Sequence, residues 1–118
     1  MQQTLYHYNA NVTAVYDGDT ITVEIDLGLS VWIKGEKIRL NRINAPEMRG
    51  TDKPKGTLSR DYLRGLILNK QIILETIKDK KGKYGRYLRE IWLDTGGGNY
   101  VNVNDEIVKN KFAVYHKY

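Results

Sequence analysis

The sequence predicts an α+β fold: a five-stranded barrel with one helix inserted after the third strand and a second helix near the C-terminus. Three observations carry this. Apolar residues alternate with a period of two through the first third of the chain. A helical repeat then runs from Leu58 to Ile67, and two more strand-like runs precede a second helical repeat. At 118 residues the chain fits one domain spanning 1–118, and 41% hydrophobic content supports a modest core.

Taken in order, Val12, Ala14 and Tyr16 alternate with Asn11 and Thr13 as in a strand. Ile21, Val23 and Ile25 alternate with Thr20, Thr22, Glu24 and Asp26. Asp17-Gly18 between these runs is a hairpin signal, because glycine accepts a positive φ without strain. Val31–Ile33 and Ile38–Ile43 flank "KGEK", which reads as a second turn, and "IRLNRI" slips out of alternation after Leu40, marking a bulge or a strand end. "EMRGTDKPKG" is a polar loop. Leu58, Tyr62, Leu63, Leu66 and Ile67 recur at helical spacing behind Thr57, a candidate N-cap. Gly65 costs that helix about 1 kcal/mol relative to alanine, which close packing on a sheet would explain. "QIILETI" and "RYLREIWL" read as the fourth and fifth strands and "DTGGGN" as a turn. "VNVNDEIVKNKF" reads as the second helix, capped by Asn102, with acids early and lysines late as the helix dipole favours. Short antiparallel strands with a helix after the third match a closed barrel of the oligonucleotide-binding (OB) kind.

The absence of cysteine excludes disulfides, zinc thiolates and a thiol nucleophile. No apolar run approaches the roughly 18 residues of a membrane span, so no membrane partner is expected. The N-terminus lacks the pattern of a signal peptide, which leaves the compartment open. His7 and His116 sit in no metal-ligand spacing, and no Walker loop or serine triad occurs. The net charge of +5 points to a polyanionic partner, nucleic acid first. Lys78, Lys80, Lys81, Lys83, Arg86 and Arg89 crowd one segment, broken among the acids only by Asp79.

Four stretches stand out: "DGDT" at Asp17–Thr20, "IRLNRINAPE" at Ile38–Glu47, "KYGR" at Lys83–Arg86, and the basic run before it. Each is weak alone. Asp19 could only close a turn, Arg39 could point outward from a strand, Glu47 could be a solvated loop residue, and Arg86 could pair with a surface acid. In this order and spacing they resemble the staphylococcal nuclease (thermonuclease) family, from about Asn11 to Phe112.

The resemblance implies a calcium-dependent endonuclease, a hydrolase acting on DNA and RNA with little sequence preference. It gives Asp19 the role of calcium ligand. Arg39 would clamp the scissile phosphate, Glu47 would position or activate the attacking water, and Arg86 would stabilise the charged phosphorus centre or the leaving group. Lys83 and Tyr84 match residues that hold the nucleotide's phosphate. Asp17 reads as structural, bonding the turn's backbone.

Two departures modify this expectation. Asn44 stands where the family commonly has a second aspartate ligand. Its amide keeps an oxygen but loses the charge, and calcium affinity rises with ligand charge. Weak calcium binding is therefore expected, with magnesium or manganese left open. Ala45 replaces a common threonine, of which only the backbone carbonyl is needed as a ligand. At the C-terminus, Tyr115 and Tyr118 are the candidates for a base-stacking surface. The chain is expected to act as a monomer. The alternative is a catalytically weak or silent nucleic-acid-binding module of the same fold.

Overall fold

The computed structural model describes residues 6–81 and 87–117. Its strands are β1 (His7–Asp17), β2 (Thr20–Asp26), β3 (Trp32–Leu40), β4 (Ile43–Asn44), β5 (Gln71–Lys81), β6 (Tyr87–Gly96), β7 (Asn99–Asn102) and β8 (Val114–Tyr115). Helix α1 (Lys53–Ile67) lies between β4 and β5, and α2 (Val103–Lys109) between β7 and β8. Six strands form one sheet in the order β3-β2-β1-β5-β6-β7, and a parallel pairing of Ile38–Leu40 with Tyr87–Arg89 joins β3 to β6. The sheet thus curls into a ring of five strands, the OB-like architecture expected from the sequence. β4 and β8 make a separate two-stranded ladder.

Alternation places the core. Ile21, Val23 and Ile25 of β2 face inward with Ile38 and Leu40 of β3, Leu74 of β5 and Ile91 of β6. Leu63 and Ile67 of α1 are fully buried, as is Ile107 of α2. Each such side chain contributes about 1.5–3 kcal/mol relative to exposure. Asn102 caps α2 as expected: its side-chain oxygen accepts the Asp105 N–H at 2.9 Å.

Several local expectations change. "KGEK" is not a turn, because β3 runs straight through it. The chain reverses earlier, around Gly28–Ser30, where the Leu27 and Val31 N–H groups donate to Val31 and Gly28 carbonyls at 2.9 Å. Between the pairs Val23–Glu36 and Ile25–Ile33, β2 has one residue, Glu24, and β3 has two, Lys34 and Gly35, and Gly35 takes a φ of +69°. A glycine bulge, not a loop, accounts for that stretch. Helix α1 begins at Lys53, so Thr57 lies inside it rather than capping it. Leu58 is 61% exposed and outside the core. A Cβ at Gly65 would meet nothing within 4 Å, so close packing does not explain that glycine. The break in "IRLNRI" holds: β3 ends at Leu40, Arg42 takes a φ of +68°, and β4 starts at Ile43.

Candidate functional site

The site is built on the β1–β2 turn. The Asp17 carboxylate accepts the Asp19 N–H at 3.0 Å, which holds the turn and aims Asp19 inward. Gly18 is needed here for space rather than for a positive φ. A Cβ on it would overlap Ser59 Oγ of α1 and press on Ala45 Cβ at 2.7 Å. Burial, then the hydrogen bond and charge of neighbouring Asp19, push the Asp17 carboxyl up to about 7.

Asp19 is the centre of the cluster and only 5% exposed. Its Oδ2 accepts the Ala45 N–H at 2.7 Å and pairs with Arg39 Nη1 at 3.1 Å, while Oδ1 accepts from Thr20 Oγ1 at 3.1 Å. Arg39 stands opposite Thr20 across the β2–β3 ladder. Its Nη2 donates to Asn44 Oδ1 at 3.3 Å. Four sequence-predicted residues, Asp19, Arg39, Asn44 and Ala45, therefore form one contact network. For Ala45 the observed link to Asp19 is its N–H.

Glu47 lies on the wall of an adjoining cleft of about 510 Å³, together with Asn44, Ala45, Lys55, Lys111 and Val114. Its carboxylate pairs with Arg49 Nε at 3.0 Å, and both side chains are largely exposed. Such a pair contributes little and leaves Glu47 able to turn toward the cleft. Gly56 of α1 sets the loop behind it: a Cβ there would overlap the Glu47 carbonyl. No sequence spacing signals this role, nor that of Ser59, whose hydroxyl donates to the Phe112 carbonyl at 2.7 Å.

Tyr115 goes elsewhere. Its hydroxyl donates to Asp105 Oδ1 at 2.9 Å and its ring lies 5.9 Å from the Arg42 guanidinium carbon, while Val114 lines the cleft. Lys83, Tyr84, Arg86 and Tyr118 lie outside the described residues.

Asp19 Oδ2 and Asn44 Oδ1 already converge on a positive charge, the Arg39 guanidinium, and carboxylate and amide oxygens suit calcium. No group of three or more His, Asp or Glu residues placed to hold a metal occurs among the described residues. The Asp19 and Asn44 oxygens are of the type a hard divalent cation takes, with one formal charge, on Asp19, and in this structure both are engaged by Arg39.

Fold and site together define a small OB-like domain whose first turn and third strand build a buried Asp19–Arg39 polar cluster beside an open cleft. The chain belongs to the staphylococcal nuclease family: the family described as "Staphylococcal nuclease homologue" matches residues 37–118. It is 30% identical, over 91% of its length, to an uncharacterized protein of Methanocaldococcus jannaschii. It is 28% and 29% identical, over 86% of its length, to thermonucleases of Staphylococcus intermedius and Staphylococcus hyicus. The chain spans 58% of the length of each of these three relatives.

Proposed function

We propose that this domain is a metal-dependent nuclease that hydrolyses phosphodiester bonds of DNA and/or RNA with little sequence preference. The observation that carries it is the Asp19–Arg39–Asn44 cluster beside the cleft bearing Glu47. Membership of the staphylococcal nuclease family supports the same reading.

Asp19 and Asn44 side chains and the Ala45 carbonyl would hold the cation, calcium first, with magnesium or manganese as substitutes. Bound there, it would supply Lewis-acid stabilisation of the phosphoryl oxygens. Arg39 and Arg86 hold nonbridging oxygens through paired charge-assisted hydrogen bonds. Lys83 and Tyr84 fix the neighbouring phosphate, and Tyr118 offers stacking, a role that the Tyr115 contacts with Asp105 and Arg42 take away from Tyr115. Glu47 orients a water for in-line attack and takes its proton on a carboxylate oxygen. Preorganised charge supplies most of the acceleration.

Purified protein is to be incubated with labelled single- and double-stranded DNA and RNA, in calcium, magnesium, manganese or chelator. Cleavage is expected with a divalent cation and lost in chelator. Glu47→Ala or Arg39→Ala should each lower turnover by about 10²-fold or more with the fold retained. Undiminished cleavage by Glu47→Ala would refute the assignment. Binding without cleavage under every condition would instead favour the silent nucleic-acid-binding module, a reading to which the neutral Asn44 lends weight.

A further inference from the structure

A second concavity, of about 730 Å³, lies between strands β1–β3 and helix α1. One wall is the outer face of β1–β3, with Tyr16, Thr22 and Lys37; the facing wall is α1, with Lys53, Arg60 and Arg64. Positions 53, 60 and 64 are seven and eleven residues along the helix, so they share one face. Four cations thus line the groove, and none of its described lining residues is Asp or Glu. Arg60 is paired with Asp61 at 3.1 Å, and Arg64 donates to the Val15 carbonyl through Nε at 3.2 Å and Nη2 at 3.1 Å. Lys37 and Lys53 are exposed, and Tyr16 is 67% exposed.

The groove borders residues next in the chain to the proposed active site. Thr20 and Met48 border it, and their chain neighbours Asp19 and Glu47 belong to the site. Lys37 and Arg39 are two apart on β3, on the same face, opposite Thr22 and Thr20 respectively. Two strand residues rise about 6.8 Å, close to the rise of two stacked nucleotides at about 3.4 Å each.

From this placement we propose that the groove is a backbone-binding track for a nucleic-acid strand leaving the active site. Lys37 and Lys53 contact backbone phosphates from the two walls, Arg60 and Arg64 set the positive potential of the helix wall, and Tyr16 stacks on a base. The choice of occupant rests on the nuclease reading. The track itself recognises repeated phosphates flanked by planar bases, which a single mononucleotide does not provide.

The test is equilibrium binding in chelator, so that cleavage plays no part. The probes are a labelled single-stranded oligonucleotide of about 12 nucleotides, within the range an OB fold covers, and a dinucleotide. Loss of two phosphate contacts in the double variant Lys37→Gln/Lys53→Gln should flatten the log–log salt dependence by about 1.4, at about 0.7 per contact. This flattening should appear for the long probe only, with unchanged thermal stability. Tyr16→Ala should weaken the long probe about tenfold. An unchanged salt slope overturns the track, as does failure of the wild type to bind the long probe. Equal competition by polyglutamate also overturns it, since that would mean a general polyanion surface. A protein that never cleaves yet shows the predicted slope loss retains the track and refutes only the nuclease reading.

Discussion

At the level of single residues, the site stores negative charge in a space too small for it. Asp17 and Asp19 flank one glycine, and Arg39 balances Asp19 directly. Because burial and Asp19 raise the Asp17 carboxyl to about 7 from 3.8, the folded protein holds a proton there that the unfolded chain releases. The stability this contributes is complete below about 4 and is lost as pH rises through about 7. Asp17→Asn keeps an oxygen for the Asp19 N–H and offers a permanent N–H donor to the Asp19 carboxylate. Measured in chelator, its melting temperature should match wild type near pH 4 and exceed it increasingly toward pH 8; a constant difference would contradict this account. Asn44 poses the complementary case. Asn44→Asp adds a charge to a set that has one from Asp19, so calcium should bind more tightly by isothermal titration. Equal affinity in both proteins would show that Asn44 is not a ligand.

At the level of elements, two glycines have roles other than those the sequence suggests. Gly18 reads as a turn glycine but serves to admit α1, and Gly65 reads as a packing glycine but faces open space. Gly56 carries no sequence signal, yet it presses α1 onto the Glu47 carbonyl. A Cβ there meets backbone that cannot rotate aside, so Gly56→Ala should cost about 1–3 kcal/mol and lower cleavage by displacing Glu47. Gly65→Ala, inside the helix with nothing to strike, should stabilise by up to about 1 kcal/mol. Paired thermal melts test both; opposite signs are required. The strands around the site were legible because alternation reports directly on which face is buried. That Asp19, Arg39 and Asn44 come together was legible only from the order and spacing of motifs that are each weak alone. Gly35 misled as a turn because a bulge and a hairpin use the same left-handed glycine. The short β4–β8 pair lay hidden because two residues cannot show a period.

For the whole molecule, the ring closes through the β3–β6 pairing, and Arg42 braces that seam. Its Nε and Nη2 donate to both Glu90 oxygens at 3.1 and 2.7 Å, and Nη1 donates to Asp105 at 2.9 Å. One side chain thereby joins the β3–β4 turn, β6 and the first turn of α2. Arg42 and Glu90 are 48 positions apart, and although Arg42 lies within "IRLNRINAPE", nothing in that stretch points to Glu90, so sequence pattern alone could not pair them. Glu90 is 6% exposed; Asn102 also donates to it, at 3.0 Å. Removing the guanidinium leaves a buried carboxylate with one neutral donor. Breaking a fully buried pair costs about 3–5 kcal/mol and an exposed one about 0–1. With Glu90 covered and the Arg42 side chain 42% exposed, Arg42→Ala should fall between, at about 2 kcal/mol. Arg42→Lys should recover only part of that loss, since an ammonium cannot reproduce the paired fork to Glu90 while also reaching Asp105. If denaturant unfolding gave Arg42→Lys the full wild-type stability, net charge rather than bidentate geometry would be bracing the seam. The brace also holds Arg42 in its positive-φ turn, three residues from Arg39 and two from Asn44. The Arg42→Ala variant that remains folded should therefore bind calcium more weakly than wild type, although Arg42 contacts neither Asp19 nor Asn44.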